Sequence, residues 1–217
     1  MNEQDNERDA NGNIVLQPKI VISEGKEEKR LFPRLLNVMG KADLSSELQF
    51  HECKGKGNLE NFLYNLRGLT GFPQVTSIGI VLDSDGKPKG FQPSLEKAQN
   101  ALKSVQFPVP VEAGKPVELS GKRSVIWIMP DNHDLGELED LCLKALSQHN
   151  LMPCVDRIQE CVKAISQIKK LAKPRLYTLL AWLDPPCRGL AEISNTEMTG
   201  WDLTVFKPFV DCFFSQL

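Results

Sequence analysis

Short runs of apolar, often β-branched residues alternate along the chain with segments in which apolar residues recur every three or four positions. Two runs cover residues 19–23 and 48–52, and the two most apolar runs cover residues 75–82 and 124–129. Runs of this length and composition are typical of buried strands. Because they alternate with segments of helical spacing, the pattern predicts an α/β fold with a mostly parallel sheet flanked by helices.

Helical spacing begins at Leu31 and recurs in several later segments. The first helix is expected to end near Gly40, and the longest carries an apolar stripe from Val155 to Ile165. Residues 107–119 are rich in Pro and Gly and suggest a hairpin at an edge of the sheet. The later predicted helices cover about residues 58–66, 94–105, 137–147, 155–172, 174–183 and 205–214.

Length and composition favour one domain. The chain has 217 residues, of which 41% are hydrophobic, enough for a substantial core. Residues 1–13 are polar and contain an Asn-Gly pair, which predicts a flexible tail. We therefore expect a single domain over residues 14–217, with a helical C-terminal extension from about residue 150.

Charge and cysteine content bear on the expected partners and the cellular compartment of the protein. The net charge of −2 does not by itself indicate nucleic acid, so such a partner requires a local basic patch. The 6 cysteines form no Cys-x-x-Cys pair, which favours reduced core thiols in a cytoplasmic protein. No apolar run approaches the roughly 20 residues that cross a bilayer. We therefore expect no membrane partner.

Acidic side chains follow three of the predicted strands. In parallel sheets, ligands bind beyond the carboxyl ends of the strands, so these positions are the natural place for a site. The acidic residues are Glu24 with Glu28, Asp83 with Asp85, and Glu137 with Glu139 and Asp140.

Carboxylates that share a site repel one another unless a cation neutralises them, and Mg²⁺ or Mn²⁺ prefers such oxygen ligands. Each acid alone has an ordinary interpretation. Asp85 precedes Gly86 as in a turn, and Glu28 fits a solvent-facing helix position. Glu137 and Asp140 suit the first turn of a helix. Their joint occurrence after three apolar strands favours a divalent-metal site.

Three of these segments carry a family resemblance: residues 21–25 with Glu28, residues 81–85 and residues 136–140. They resemble the TOPRIM (topoisomerase–primase) domain. The chain is most similar to small stand-alone TOPRIM-like proteins of unknown function, which are related to the nuclease half of OLD (overcoming lysogenization defect) proteins. The resemblance continues in residues 173–176, 180–183, 189–191, 201 and 206–209, and so spans most of the chain after residue 19.

The resemblance implies a Rossmannoid, TOPRIM-like sheet and metal-dependent cleavage of nucleic acid. It implies that Glu24 acts as general acid/base or as a metal ligand, and that Lys173 stabilises negative charge. Asp140 fits the later acidic motif of the OLD-like relatives less closely than its neighbours do. The expected ligands of Mg²⁺ or Mn²⁺ are Glu24, Glu28, Asp83, Asp85, Glu137 and Glu139.

A cluster of basic residues lies on and after the longest predicted helix. If it lies beside the acids it can hold phosphates. The alternative is a solvated helix face, which runs of charge usually form. The cluster consists of Lys163, Lys169, Lys170, Lys173 and Arg175.

The OLD nucleases also carry an ATPase half, and this sequence lacks its phosphate-binding loop. Residues 121–124, Gly-Lys-Arg-Ser, lack both the upstream glycine and a hydroxyl directly after the lysine. A separately encoded ATPase is therefore one expected partner, and nucleic acid is the other. The four phenylalanines at 206, 209, 213 and 214 either pack in the core or face such a partner.

Three functions stay open at this point. The main hypothesis is a metal-dependent phosphodiesterase or nuclease. The second is a non-catalytic or partner-activated module that works with a separate ATPase or defence component. The third is a haloacid-dehalogenase-like phosphatase, because residues 81–86, Val-Leu-Asp-Ser-Asp-Gly, also look like its nucleophile loop. Whether the chain is an enzyme by itself, and its oligomeric state, are left open.

Overall fold

The structure is a computed structural model, which describes residues 16–84, 90–167, 171–194 and 197–217. Several predictions concern residues outside these ranges. One is the tail at residues 1–13. Another is Asp85, the second aspartate of the Asp-x-Asp pair. The others are Lys169 and Lys170 of the basic cluster.

The described residues form one sheet of five strands, all parallel except for one edge strand. The order across the sheet is β2-β1-β3-β5-β4, and the short β4 pairs with β5 in an antiparallel hairpin. The prediction of a mostly parallel α/β sheet is confirmed. The strands are β1 (Lys19–Ser23), β2 (Leu48–Glu52), β3 (Ser77–Asp83), β4 (Val117–Leu119) and β5 (Lys122–Met129).

Helices cover both faces of this sheet. The six-residue α2 was not predicted, because it buries only Ser45 and so has no apolar pattern to detect. Short 3-10 turns connect several elements between residues 190 and 216. Eight α-helices lie in the ranges described: α1 (Lys26–Val38), α2 (Ala42–Glu47), α3 (Leu59–Arg67), α4 (Phe91–Ser104), α5 (Leu138–Ala145), α6 (Met152–Ile165), α7 (Ala172–Leu180) and α8 (Lys207–Cys212).

The prediction of one helix over residues 155–172 is wrong. Helix α6 ends at Ile165, and Ser166 has extended backbone angles. The next helix, α7, packs against α6, and an ion pair of 2.5 Å joins Arg175 to Asp156. Helix α6 therefore ends where helical spacing alone predicts that it continues. The end of the predicted stripe is also not buried, since Ile165 is 85% exposed.

Two apolar layers hold the helices to the sheet. On one face, α3 and α4 pack on aliphatic residues of β1, β3 and β5. On the other face, α1, α5, α7 and α8 pack with a cluster of aromatic rings. Gly79 of β3 makes this packing possible, because a Cβ there would lie 2.7 Å from the ring of Phe213 and 2.8 Å from Leu217.

The four phenylalanines between residues 206 and 214 are fully buried, which confirms that they pack in the core. They do not form a surface for a partner. The cysteine prediction holds only for half of the thiols. Cys154, Cys161 and Cys212 are exposed, whereas the other three are buried. Within the described ranges, no helix combines the length and apolar character needed to span a membrane.

Candidate functional site

The predicted acids that the structure describes lie at the carboxyl edge of the sheet. Glu24 follows β1 directly, and Asp83 is the last residue of β3, the parallel neighbour of β1. Ser84 then binds the loop that precedes α5: Gly136 N donates to Ser84 Oγ at 2.6 Å, and Ser84 N donates to Gly136 O at 3.1 Å. This contact brings Glu137, at the start of α5, to the end of β3.

Glu28 turns back toward the start of its own helix. Gly25 lies before the first residue of α1, and its N–H donates to Glu28 Oε2 at 3.2 Å. This bond satisfies one of the amides that a helix start leaves without an internal partner. Glu28 is half-buried, so the solvent-facing interpretation is wrong, and its carboxylate lies beside the end of β1.

Asp83 is fixed from two sides. Its carboxylate Oδ1 accepts a hydrogen bond from Leu138 N, in the first turn of α5, at 3.1 Å. Its main-chain oxygen accepts hydrogen bonds from Lys56 Nζ at 2.7 Å and from Ser94 Oγ at 2.9 Å. Three separate segments of chain therefore determine where this aspartate lies.

Lys56 also contacts Glu24, since its backbone N–H donates to Glu24 Oε1 at 3.0 Å. Lys56 is not among the residues that the sequence motifs indicate. The available signal is the segment Lys-Gly-Lys-Gly at residues 54–57, directly after β2, where a parallel sheet presents its binding edge.

Lys173 reaches the acids from α7. Its Nζ lies 3.1 Å from Glu139 Oε1, and Glu139 is only 5% exposed. Partial burial acts to lower the pKa of Lys173, but the negative charge of Glu139 outweighs it, so the pKa is raised above its ordinary value. The ring centroid of Tyr177 lies 5.4 Å from the same ammonium.

The other described members of the basic cluster do not join the acids in this way. Arg175 forms its ion pair with Asp156, and Lys163 is exposed on α6. Among the members of the cluster that the structure describes, Lys173 alone forms an ion pair with one of the predicted acids.

The acids perturb one another strongly. Burial raises the pKa of Asp83 well above its ordinary value, and the negative charges of Glu28, Glu24, Glu139 and Glu137 raise it further. These carboxylates come from three segments of chain that are distant in sequence. A site of this kind favours either a bound proton or a bound cation.

Glu28 shows the same effect. Burial, and then the charges of Glu139 and Glu24, raise its pKa to about 7, although backbone hydrogen bonds act to lower it. Burial also raises the pKa of two nearby thiols. The pKa of Cys53 rises to about 12. The pKa of Cys142 is raised by burial and further by the negative charge of Glu139. A raised pKa disfavours the thiolate, which is the nucleophilic form of cysteine.

The carboxylates fit a hard divalent cation chemically, but three of them contact protein donors. Glu24 accepts from Lys56, Asp83 from Leu138, and Glu139 pairs with Lys173. Accordingly, no three Asp, Glu, His or Cys side chains in the described ranges are placed to hold one metal ion. The assignment of these acids as metal ligands stays a prediction.

Comparison with known protein families decides the family. The model of the family described as "Protein of unknown function (DUF3226)" matches residues 18–217. The chain belongs to this family. A comparison with curated protein sequences gives no match.

Among solved structures, the chain is similar to the C-terminal region of OLD proteins. For the Xanthomonas campestris pv. campestris protein, phased with platinum, the similarity covers 92% of this chain and 93% of the other, at 14% identity and a TM-score of 0.43. For the Burkholderia pseudomallei protein the coverage is 93% and 86%, at 14% identity and a TM-score of 0.38. At these TM-scores the similarity assigns no activity.

Proposed function

We propose that this protein is a Mg²⁺- or Mn²⁺-dependent phosphodiesterase that acts on nucleic acid. The observation that carries the proposal is the electrostatic state of Asp83, whose pKa is raised by burial and by four other carboxylates at the same edge of the sheet. A fold that gathers buried acids with only partial compensation is typical of a functional site rather than of ordinary packing.

In the proposed site, Glu24, Asp83 and Asp85 hold the metal, and Glu28, Glu137 and Glu139 complete its surroundings. A divalent ion bound there supplies an activated water and neutralises charge on the phosphate. Lys173 adds positive charge beside the scissile group and turns from Glu139 toward it. Glu24 serves as a metal ligand or moves the proton as general acid/base.

Nucleic acid is the proposed substrate because the three acidic segments resemble those of TOPRIM nucleases. The proposal includes a cytoplasmic location, where such a substrate is accessible. It does not require the whole basic cluster, since the ion pair between Lys173 and Glu139 already places one cation at the acids.

A second candidate is a module that becomes active only with a partner, such as a separate ATPase. The orientation of the carboxylates favours it, because Glu24 and Asp83 are engaged by protein donors rather than turned toward a common point. In this version the partner reorients the acids, and the isolated chain binds metal weakly. The phosphatase alternative differs in chemistry, since Asp83 itself would become phosphorylated.

The experiment compares wild type with Asp83→Ala and with Glu47→Gln as control. Glu47 is an exposed acid that pairs with Lys19 at 2.6 Å, away from the acids of the carboxyl edge. We expect Mn²⁺ binding by calorimetry and Mn²⁺-dependent cleavage of plasmid or single-stranded DNA in wild type and the control. Loss of a metal ligand should reduce cleavage by about 100-fold or more.

Each other outcome has a defined meaning. Weak Mn²⁺ binding without cleavage of any nucleic acid favours the partner-activated module. A phosphorylated Asp83 after incubation with a phosphate ester favours the phosphatase. The main proposal is contradicted if the wild-type protein neither binds Mn²⁺ nor cleaves any nucleic acid with any divalent metal.

A further inference from the structure

Lys56 contacts both of the acids that end neighbouring strands. Its backbone N–H donates to Glu24 Oε1 at 3.0 Å, and its side-chain Nζ donates to the main-chain oxygen of Asp83 at 2.7 Å. Glu24 follows β1 and Asp83 ends β3, and the two strands are paired directly. One residue therefore bridges the ends of two strands that carry predicted metal ligands.

A buried serine closes this arrangement. Ser94 Oγ, on α4, accepts from Lys56 Nζ at 3.0 Å and donates to Asp83 O at 2.9 Å. Ser94 is 1% exposed, so water does not readily replace it. Hydrogen bonds from an ammonium are roughly twice as strong as neutral ones, and the end of β3 is thus tied to both the loop and α4.

The loop that carries Lys56 is itself held on the end of β1. Gly55 N donates to Glu24 O at 2.8 Å, and Asn58 Nδ2 donates to Cys53 O at 2.8 Å. Gly55 has a φ of 100°, which glycine adopts at no steric cost. This backbone brings the half-buried Lys56 inward, whereas Lys54, two residues earlier, is exposed.

We propose that Lys56 is a positioning residue of the candidate metal centre, which ties the carboxylate of Glu24 to the main chain of Asp83 at the ends of two neighbouring strands. The inference rests on the proposed function and adds a specific role for a residue that binds no metal itself. Outer-shell hydrogen bonds of this kind commonly change metal affinity by about 10- to 100-fold. Lys56 acts through the main chain of Asp83 and the carboxylate of Glu24.

The test measures Mn²⁺ affinity of the full chain by calorimetry for Lys56→Met and its control, Lys54→Met. Both variants lose one positive charge from the same loop, but Lys54 is exposed and is not part of the arrangement described above. We expect the Kd of Lys56→Met for Mn²⁺ to rise about 10-fold or more and that of Lys54→Met to stay within twofold. Ser94→Ala should give an intermediate loss.

Two further readouts separate positioning from general stability. Lys56→Arg keeps a charged donor and should recover part of the affinity. In the cleavage assay, excess Mn²⁺ should restore kcat of Lys56→Met, because the acids themselves remain. Thermal unfolding without metal should show both lysine variants folded at the assay temperature.

The inference is overturned if wild type binds Mn²⁺ and Lys56→Met binds it equally well, or if Lys54→Met loses as much. It is also overturned if Lys56→Met is unfolded while Ser94→Ala binds Mn²⁺ like wild type, since Lys56 is then structural only. If wild type itself neither binds Mn²⁺ nor cleaves, the proposed function fails first, and this inference fails with it.

Discussion

The two ends of the parallel sheet carry acidic side chains in opposite situations. At the amino end, Glu47 is about half exposed and pairs with Lys19, the first residue of β1. At the carboxyl end, Asp83 accepts a hydrogen bond from a backbone amide, and burial and neighbouring acids raise its pKa. The same sheet therefore places one acid in a paired surface position and another in a buried, repelling cluster.

This difference indicates where the fold accepts a cost. An exposed ion pair contributes little to stability, typically about 0–1 kcal/mol, and its loss is tolerated. A buried carboxylate without full neutralisation disfavours folding, and the group responds by holding a proton. Of the two ends, the carboxyl end is thus the one whose negative charge a divalent cation would neutralise.

The largest effect is expected when Glu28, at the carboxyl end, is replaced. The free energy of unfolding should then depend on pH differently from that of wild type. Because the pKa of Glu28 is raised to about 7, the folded protein binds this proton more tightly than the unfolded chain does. The stabilising contribution is therefore complete at low pH and is lost as pH rises from about 4.5 to about 7. By linkage, the loss amounts to about 3 kcal/mol.

The glutamine side chain of Glu28→Gln does not titrate. Its free energy of unfolding, compared with that of wild type, should therefore increase by about 3 kcal/mol between pH 4 and pH 8. Urea unfolding in EDTA measures the difference. His51, whose pKa burial lowers to about 4, has the opposite sign and destabilises the protein as pH falls, but it is present in both proteins and cancels. A pH-independent difference would contradict the raised pKa.

The next effect concerns metal binding at the carboxyl end. A ligand at 100 times its Kd stabilises the folded state by about 2.7 kcal/mol, which corresponds to a rise of about 5–10 °C in Tm for a chain of this size. We expect this rise with Mn²⁺ in wild type and in Glu47→Gln. Asp83→Asn should show none, and its metal-free form should melt higher than metal-free wild type.

Metal binding at the carboxyl end would be contradicted if Mn²⁺ raised the Tm of Asp83→Asn as much as that of wild type. The stabilisation would then come from another part of the molecule. Differential scanning fluorimetry with Mn²⁺ and with EDTA gives both values in one experiment.

The smallest effect is expected at the amino end. Replacing Lys19 by Met breaks the pair with Glu47 but leaves both groups partly solvated, so the free energy of unfolding should fall by less than about 1 kcal/mol. A loss above about 2 kcal/mol in urea unfolding would show that this pair is not an ordinary surface contact.

Most of the sheet could be predicted because local pattern determines it. The runs that predict β1 and β2 have the same bounds in the sequence and in the structure. In β1 the signal is three consecutive β-branched residues, which favour a strand. The end of α6 could not be predicted, because Ser166 lies inside a segment of continuous helical spacing. The tertiary structure places α7 against α6, a contact that the spacing of apolar residues does not encode.

By itself, the sequence determined that acids follow apolar strands, and the carboxyl ends of parallel strands necessarily share an edge. It did not determine how those acids are held. The contacts of Lys56 with Glu24 and Asp83, and of Ser84 with Gly136, join residues about 30 to 50 positions apart, which no local pattern encodes. Burial and mutual repulsion arise only once these segments meet, so the pKa of Asp83 is a property of the tertiary structure.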